Sequence, residues 1–276
     1  MAAPSLSTAG CVTTSHGAGR AVVERARAVA AACGLPLVRR EAVQPGQAVL
    51  VLESAGARVE LGERSVRSHP GMGLVRVRRL VRGEEHDPIV DIAEIQPGDA
   101  ILDATFGFGQ DALVLAWAAG ESGRLEGLES SPLLAGLALA GLPFWPRPAP
   151  EIASRMKVTC TDARAWMRAA PTGSFDVVFI DPMFRRPRMA APDFAALRLL
   201  ADEEPLSVED LAQARRVARR WVVVKDGWPG ADLKRLSIPL VPFRRSAEIV
   251  FGRIPGGASV GDGPLPDAVA APHGNG

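Results

Sequence analysis

Ile101-Leu102-Asp103-Ala104-Thr105-Phe106-Gly107-Phe108-Gly109-Gln110-Asp111-Ala112-Leu113 is the stretch whose reading decides the fold. Between Asp99 and Asp103 the residues are apolar, as in a buried strand that starts and ends on a carboxylate. Gly107 and Gly109 then allow a tight turn and a close backbone approach to a ligand that a Cβ would block. Ala112, Leu113, Leu115, Ala116 and Trp117 follow at helical spacing until Gly120 stops them. A helix opening directly behind such a turn presents unpaired N–H groups. Strand, glycine turn and helix in that order predict a cradle for a nucleotide-type cofactor.

Outward from this stretch, strand and helix signals alternate from Asp87 to Arg253, which predicts a mostly parallel sheet covered on both faces. Gly123 to Glu129, Met156 to Thr161, Phe175 to Ile180 and Trp221 to Val224 read as further strands. Ile238 to Val241 and Glu248 to Phe251 read as a closing hairpin, which brings the expected sheet to seven strands. Ser131-Pro132 and the capping box Ser207-Val208-Glu209-Asp210 each open a helix, whereas Leu142 to Pro150 is proline-rich and reads as a loop. Upstream, a strand at Cys11–Thr14, a helix stopped by Gly34 and strands at Ala48–Leu52 and Arg58–Leu61 make a small α/β unit. The expected division is a frayed start over 1–10, this unit with a basic segment over 11–86, the main domain over 87–254 and a disordered tail over 255–276.

Composition narrows the class. With 276 residues, 47% of them hydrophobic, the chain can bury one large core and a smaller one. A net charge of +1 sets up no global field toward nucleic acid or membrane. Arginine outnumbers lysine so heavily, with only Lys157, Lys225 and Lys234 as lysines, that arginine counts alone are a poor nucleic-acid signal. Cys11, Cys33 and Cys160 are odd in number and far apart, which argues against a disulfide framework or a zinc site. No apolar run reaches spanning length, and a soluble cytoplasmic protein without a metal is expected. Arg64 to Gly83 carries Arg64, Arg67, Arg76, Arg78, Arg79 and Arg82 without an acid. That run reads either as a solvated helix face or as a phosphate-contacting patch, and His69 within it reads as structural.

Asp103, Glu129, Asp162 and Asp181 each close an apparent strand, and in an open parallel sheet those ends border the ligand crevice. Glu129 follows Gly109 by twenty residues, near the spacing at which an acid reaches a ribose diol. A dinucleotide cofactor is disfavoured, because Asp103 and Asp111 would repel a pyrophosphate. A cationic ligand with an adenosine end suits these acids, and S-adenosylmethionine (SAM) is such a ligand. Its sulfonium and amino groups are expected near Asp103 and the glycine turn, its ribose at Glu129 and its adenine near Asp162. Asp181-Pro182-Met183-Phe184 resembles the Asp/Asn-Pro-Pro-aromatic motif of amino-methyltransferases. A carboxylate and a carbonyl accepting both N–H hydrogens of an exocyclic amine would aim its lone pair at a methyl group, and Phe184 could stack on a base.

Asp103-Ala104-Thr105 with Gly107, Gly109 and Asp111, then Leu128-Glu129, Asp181-Pro182-Met183-Phe184 and Val222-Val223-Val224-Lys225, resemble the bacterial 16S rRNA guanine-N2-methyltransferase family over roughly 87–252. The region from Val12 to Asp91 looks more like a less characterised branch of it. The resemblance implies a class I methyltransferase fold (Rossmann-like), SAM as cofactor and rRNA or the small ribosomal subunit as partner. It also implies cofactor contacts at Gln110 and Asp111, Glu129 and Ser130, Asp162 and Ala163, and Asp181, with Thr105 in the turn. The catalytic set would be Asp181, Pro182 and Phe184; apart from the resemblance, Arg185, Arg186 and Arg188 just after the motif read either as phosphate contacts or as ordinary surface. Gln110 stands where the better-known branch has arginine, and Asp162-Ala163 replaces a serine pair. The same residues remain compatible with methylation of a protein glutamine or small molecule, and with a non-catalytic nucleotide- or RNA-binding module.

Overall fold

The computed structural model describes residues 7–84, 86–182, 204–242 and 248–257. Its first unit runs β1 (Ser7–Thr14), α1 (Arg20–Cys33), β2 (Gln47–Glu53), β3 (Gly56–Leu61) and β4 (Arg64–Arg67), with sheet order β1-β2-β3-β4. β2 is apolar and buried from Ala48 to Leu52 because the sheet is covered on both faces there. β3 alternates, with Val59 and Leu61 turned inward and Arg58 and Glu60 outward. Ser7 to Gly10, expected to fray, instead belong to β1. Ser7 pairs in parallel opposite Gln47 of β2, and the register shifts before pairing resumes at Cys11 opposite Val49.

The second unit runs α2 (Gly71–Val81), α3 (Pro88–Ala93), β5 (Ala100–Asp103), α4 (Gln110–Ala118), β6 (Arg124–Glu129), α5 (Pro132–Gly141), α6 (Ala149–Ala153), β7 (Met156–Cys160), α7 (Ala163–Ala169), β8 (Phe175–Ile180), α8 (Val208–Val217), β9 (Ala218–Gly227), α9 (Ala231–Arg235) and β10 (Ile249–Pro255). Sheet order is β10-β9-β8-β5-β6-β7, with β10 antiparallel and the other strands parallel. Six strands are assigned among the described residues. The segment expected as the seventh is reduced to one bridge, Leu240 opposite Gly252, with Val241 N–H donating to Phe251 and Arg253 N–H to Pro239. Pro239 and Pro242 have no N–H to extend that ladder. The proline-rich loop expected over Leu142–Pro150 also tightens into a 3-10 turn and the start of α6, where Pro150 sits in the first helical turn and costs no hydrogen bond.

The two units share a core. α5 carries Leu133, Ala135, Leu137 and Ala140 into the cluster formed by Val22, Val29, Leu50, Leu52 and Val59 of the first unit. A Cβ on Gly136 would stand 2.6 Å from Leu50, so the helix lies on the sheet at backbone distance. α2 packs on α4 through Leu74 and Val77, which places this basic segment with the second unit rather than the first. An 11–86 boundary is therefore not a seam in the packing. Among the described residues no helix is long and apolar enough to cross a membrane.

Candidate active site

The chain leaves β5 toward β6 and β7 on one side and later crosses to β8 on the other. The carboxyl ends of β5 and β8 therefore frame the switch point where open sheets of this type bind ligands. Asp103 pairs across from Gly127 and Phe179, and Asp181 follows two residues beyond Phe179. The two ends are tied directly, since the Asp181 N–H donates to Thr105 Oγ1 at 2.6 Å.

The glycine turn rests on Phe106. Its ring is buried, and a Cβ on Gly127 or Gly109 would stand 2.1 or 2.6 Å from it. Gly109 has φ +71° at the N-terminus of α4. Glu129 holds the turn from outside, its two carboxylate oxygens accepting the N–H groups of Gly107 and Ser131 at 2.8 Å each. The expected ribose acid is thus fixed in orientation before any ligand arrives. Ser130 beside it is exposed. Asp162 lies two residues past β7 and caps α7, accepting the Ala165 N–H at 2.7 Å, with Ala163 against the core below.

Asp103 is 1% exposed and accepts the Thr105 N–H at 3.0 Å. Burial, reinforced by Asp111, Asp181 and Glu129 nearby, pushes its carboxyl up to about 8. A buried acid held neutral among other acids fits a cationic ligand, whose charge would ionise it. The bare backbone of the turn, the fixed Glu129 and the poised Asp103 together match the groups of SAM.

Gln110 and Asp111 are engaged elsewhere. Gln110 Oε1 accepts the Met72 N–H at 3.2 Å, and a Cβ on Gly73 would stand 2.4 Å from the Gln110 carbonyl oxygen, so the starts of α2 and α4 interlock. Asp111 takes Arg76 on one oxygen and Lys225 Nζ on the other, the latter at 2.7 Å. Flanked by two cations, its carboxyl is held well below the usual range. Arg76 also grips Asp87 with two bonds of 2.7 Å, and Lys225 reaches Asp181 Oδ2 at 2.7 Å.

Sequence reasoning gives Arg76 no place in the site, and Lys225 only a place in the family resemblance without a role. Lys225 carried a signal, an apolar run ending in lysine at a strand's carboxyl end. Arg76 did not, being one arginine among six. Its burial in ion pairs shows that the Arg64–Arg82 run is not one free patch: Arg67 pairs with Glu53, Arg78 donates to the Arg147 carbonyl and Arg82 meets Glu84. His69 stacks on Phe108 of the glycine turn at 5.9 Å. Phe184, Arg185, Arg186 and Arg188 lie outside the described residues, whereas Pro182 is described and half-buried.

The family model described as "Putative SAM-dependent methyltransferase" matches residues 71–236. The Bacillus subtilis protein YpiP is 33% identical over 189 residues, covering 67% of this chain and 73% of that one. The ribosomal RNA small subunit methyltransferase J of Nitrosococcus oceani is 30% identical over 227 residues, covering 75% and 85%. That of Laribacter hongkongensis is 34% identical over 169 residues, covering 58% and 59%. A SAM-dependent methyltransferase structure from Neisseria gonorrhoeae superposes with a TM-score of 0.63 at 23% identity, covering 91% of this chain and 98% of that one, and shows the class I fold. The chain belongs to the SAM-dependent methyltransferase family that includes the ribosomal RNA small subunit methyltransferases J, and it is itself a SAM-dependent methyltransferase.

Proposed function

We propose that this methyltransferase works in the cytoplasm on the exocyclic N2 of a guanine in small-subunit rRNA. The observation that carries the reading is the placement of Asp181-Pro182 at the end of β8. There the Asp181 N–H is tied to Thr105 beside the glycine turn, and one carboxylate oxygen is held by Lys225. The naming of the relatives as ribosomal RNA small subunit methyltransferases supports the substrate class.

SAM, when bound, supplies a methyl group on a sulfonium centre. Asp103 would face its positive end, Gly107 and Gly109 its chain, Glu129 and Ser130 its ribose, and Asp162 and Ala163 its adenine. Gln110 and Asp111 would act from behind the turn by fixing where α4 begins. Asp181 accepts one N–H of the amine and the Pro182 carbonyl the other, which turns the nitrogen lone pair away from the ring. On gaining the methyl group the nitrogen would have a proton to shed, and the carboxylate of Asp181 would take it. Phe184 would stack on the base.

The test is mass spectrometry of small-subunit rRNA nucleosides from cells with and without the gene. Loss of a single N2-methylguanosine, restored on complementation, is the expected result. An unchanged rRNA profile would overturn the rRNA assignment and direct the search to protein glutamine or small-molecule acceptors.

A further inference from the structure

Val224 of β9 pairs with Ile180 of β8, so the next residues, Lys225 and Asp181, stand side by side at the carboxyl edge. The Lys225 side chain is only 15% exposed, and its ammonium is shared between Asp181 Oδ2 and Asp111 Oδ2. Asp111 in turn is held by Arg76, and Arg76 by Asp87, the residue that caps α3. The charges alternate along Asp87, Arg76, Asp111, Lys225 and Asp181, from the helices before the sheet to the reacting edge. An exposed ion pair contributes roughly 0–1 kcal/mol. A largely buried one is different, because removing either partner strands a charge away from water. Among the described residues nothing donates to Asp181 Oδ1, so Lys225 divides the carboxylate into a held oxygen and an available one.

Resting on the reading of Asp181 as the acceptor of the substrate amine, we propose that Lys225 is a positioning residue for the reaction. It pins Oδ2, leaves Oδ1 for the amine and keeps the carboxylate ionised, while Asp111 limits how much of the lysine's charge Asp181 feels. The surrounding charges agree. Burial raises the Asp181 carboxyl to about 6, with Asp111 on α4 adding to the rise and Lys225 on β9 and Arg76 on α2 opposing it. Asp103 on β5 and Glu129 on β6 are the other acids of this site.

The role predicts opposite shifts from two substitutions. Carboxyl-labelled aspartate in the free protein, with the Asp181 signal assigned by its loss in Asp181→Asn, gives the midpoint directly by NMR. Lys225→Met should move that midpoint up by about one unit or more, and Asp111→Asn should move it down. Lys225→Arg should leave it near the wild-type value. The acid limb of kcat should follow in the same directions. Lys225→Met would then lose about twofold in kcat at pH 7 for a shift of one unit, or about tenfold for two, and recover at higher pH, with KM for the methyl acceptor and SAM affinity changed less than about threefold. If Lys225→Met does not fold, Asp111→Asn and Lys225→Arg decide the matter.

Midpoints that stay put, or a kcat loss uniform across pH, would overturn the role of Lys225. The titration needs no methyl acceptor, so the two failures separate. Shifted midpoints with full activity in Asp181→Ala refute the reading of Asp181, and the role of Lys225 falls with it. An essential Asp181 with an unmoved midpoint refutes Lys225 alone.

Discussion

Asp103 is buried without a cation in contact among the described residues, and that fact bears on how stability and cofactor binding answer to pH. Its folded-state carboxyl, at about 8, lies above the ordinary 3.8. The stability it contributes is therefore complete at low pH and is lost as pH rises toward 8. Asp103→Asn removes that loss, so the free variant should melt at a higher temperature than wild type at pH 8 and show little difference at pH 4. The same substitution removes the charge that a sulfonium and ammonium ligand needs, and SAM affinity should fall. In the wild type, binding a cation requires Asp103 to ionise. Calorimetric titration should therefore show proton release and an affinity that rises between pH 6 and 8, by at most about tenfold per unit. Affinity flat across that range would show that Asp103 does not meet the cationic end.

The glycine turn and the start of α4 act together, because Phe106 lies under both Gly109 and Gly127. Gly127→Ala places a methyl 2.1 Å from that ring, and overpacking of this kind costs about 1–3 kcal/mol. A lowered melting temperature with weakened SAM binding is expected; a wild-type melting curve would show that the turn yields without cost. This stretch was legible in the sequence, since strand, turn and helix signals are local. The acids at the strand ends were legible for the same reason. Lys225 reaches Asp111 and Asp181, and Arg76 reaches Asp111, across large sequence separations, and periodicity carries no record of which acid a cation will meet. The fraying expected over 7–10 fails likewise, because β1 starts at Ser7, paired there with the distant Gln47 of β2. The edge segment 238–241 has strand-like apolar residues, but Pro239 and the following Pro242 lack the N–H groups that a ladder needs.

At the scale of the whole molecule, α5 is the joint between the two units, with Leu133 and Leu137 buried against the first sheet. Removing residues 1–67 would open that face to water, and the remaining methyltransferase module should aggregate or bind a hydrophobic dye. A soluble, well-melting truncation would show that the units are independent. Within the second unit, α2 is tied to α4 and to the start of α3 through Arg76, which bonds Asp111 and Asp87. The central claim, methyl transfer to a guanine amine through Asp181, is tested most directly with purified protein, trideuteromethyl-labelled SAM and small ribosomal subunits lacking the modification. Nucleoside mass spectrometry should find labelled N2-methylguanosine with the wild type, and about 10²–10⁴-fold less with Asp181→Ala at equal SAM occupancy. Equal labelling by the two proteins, or label on another atom, would contradict the account.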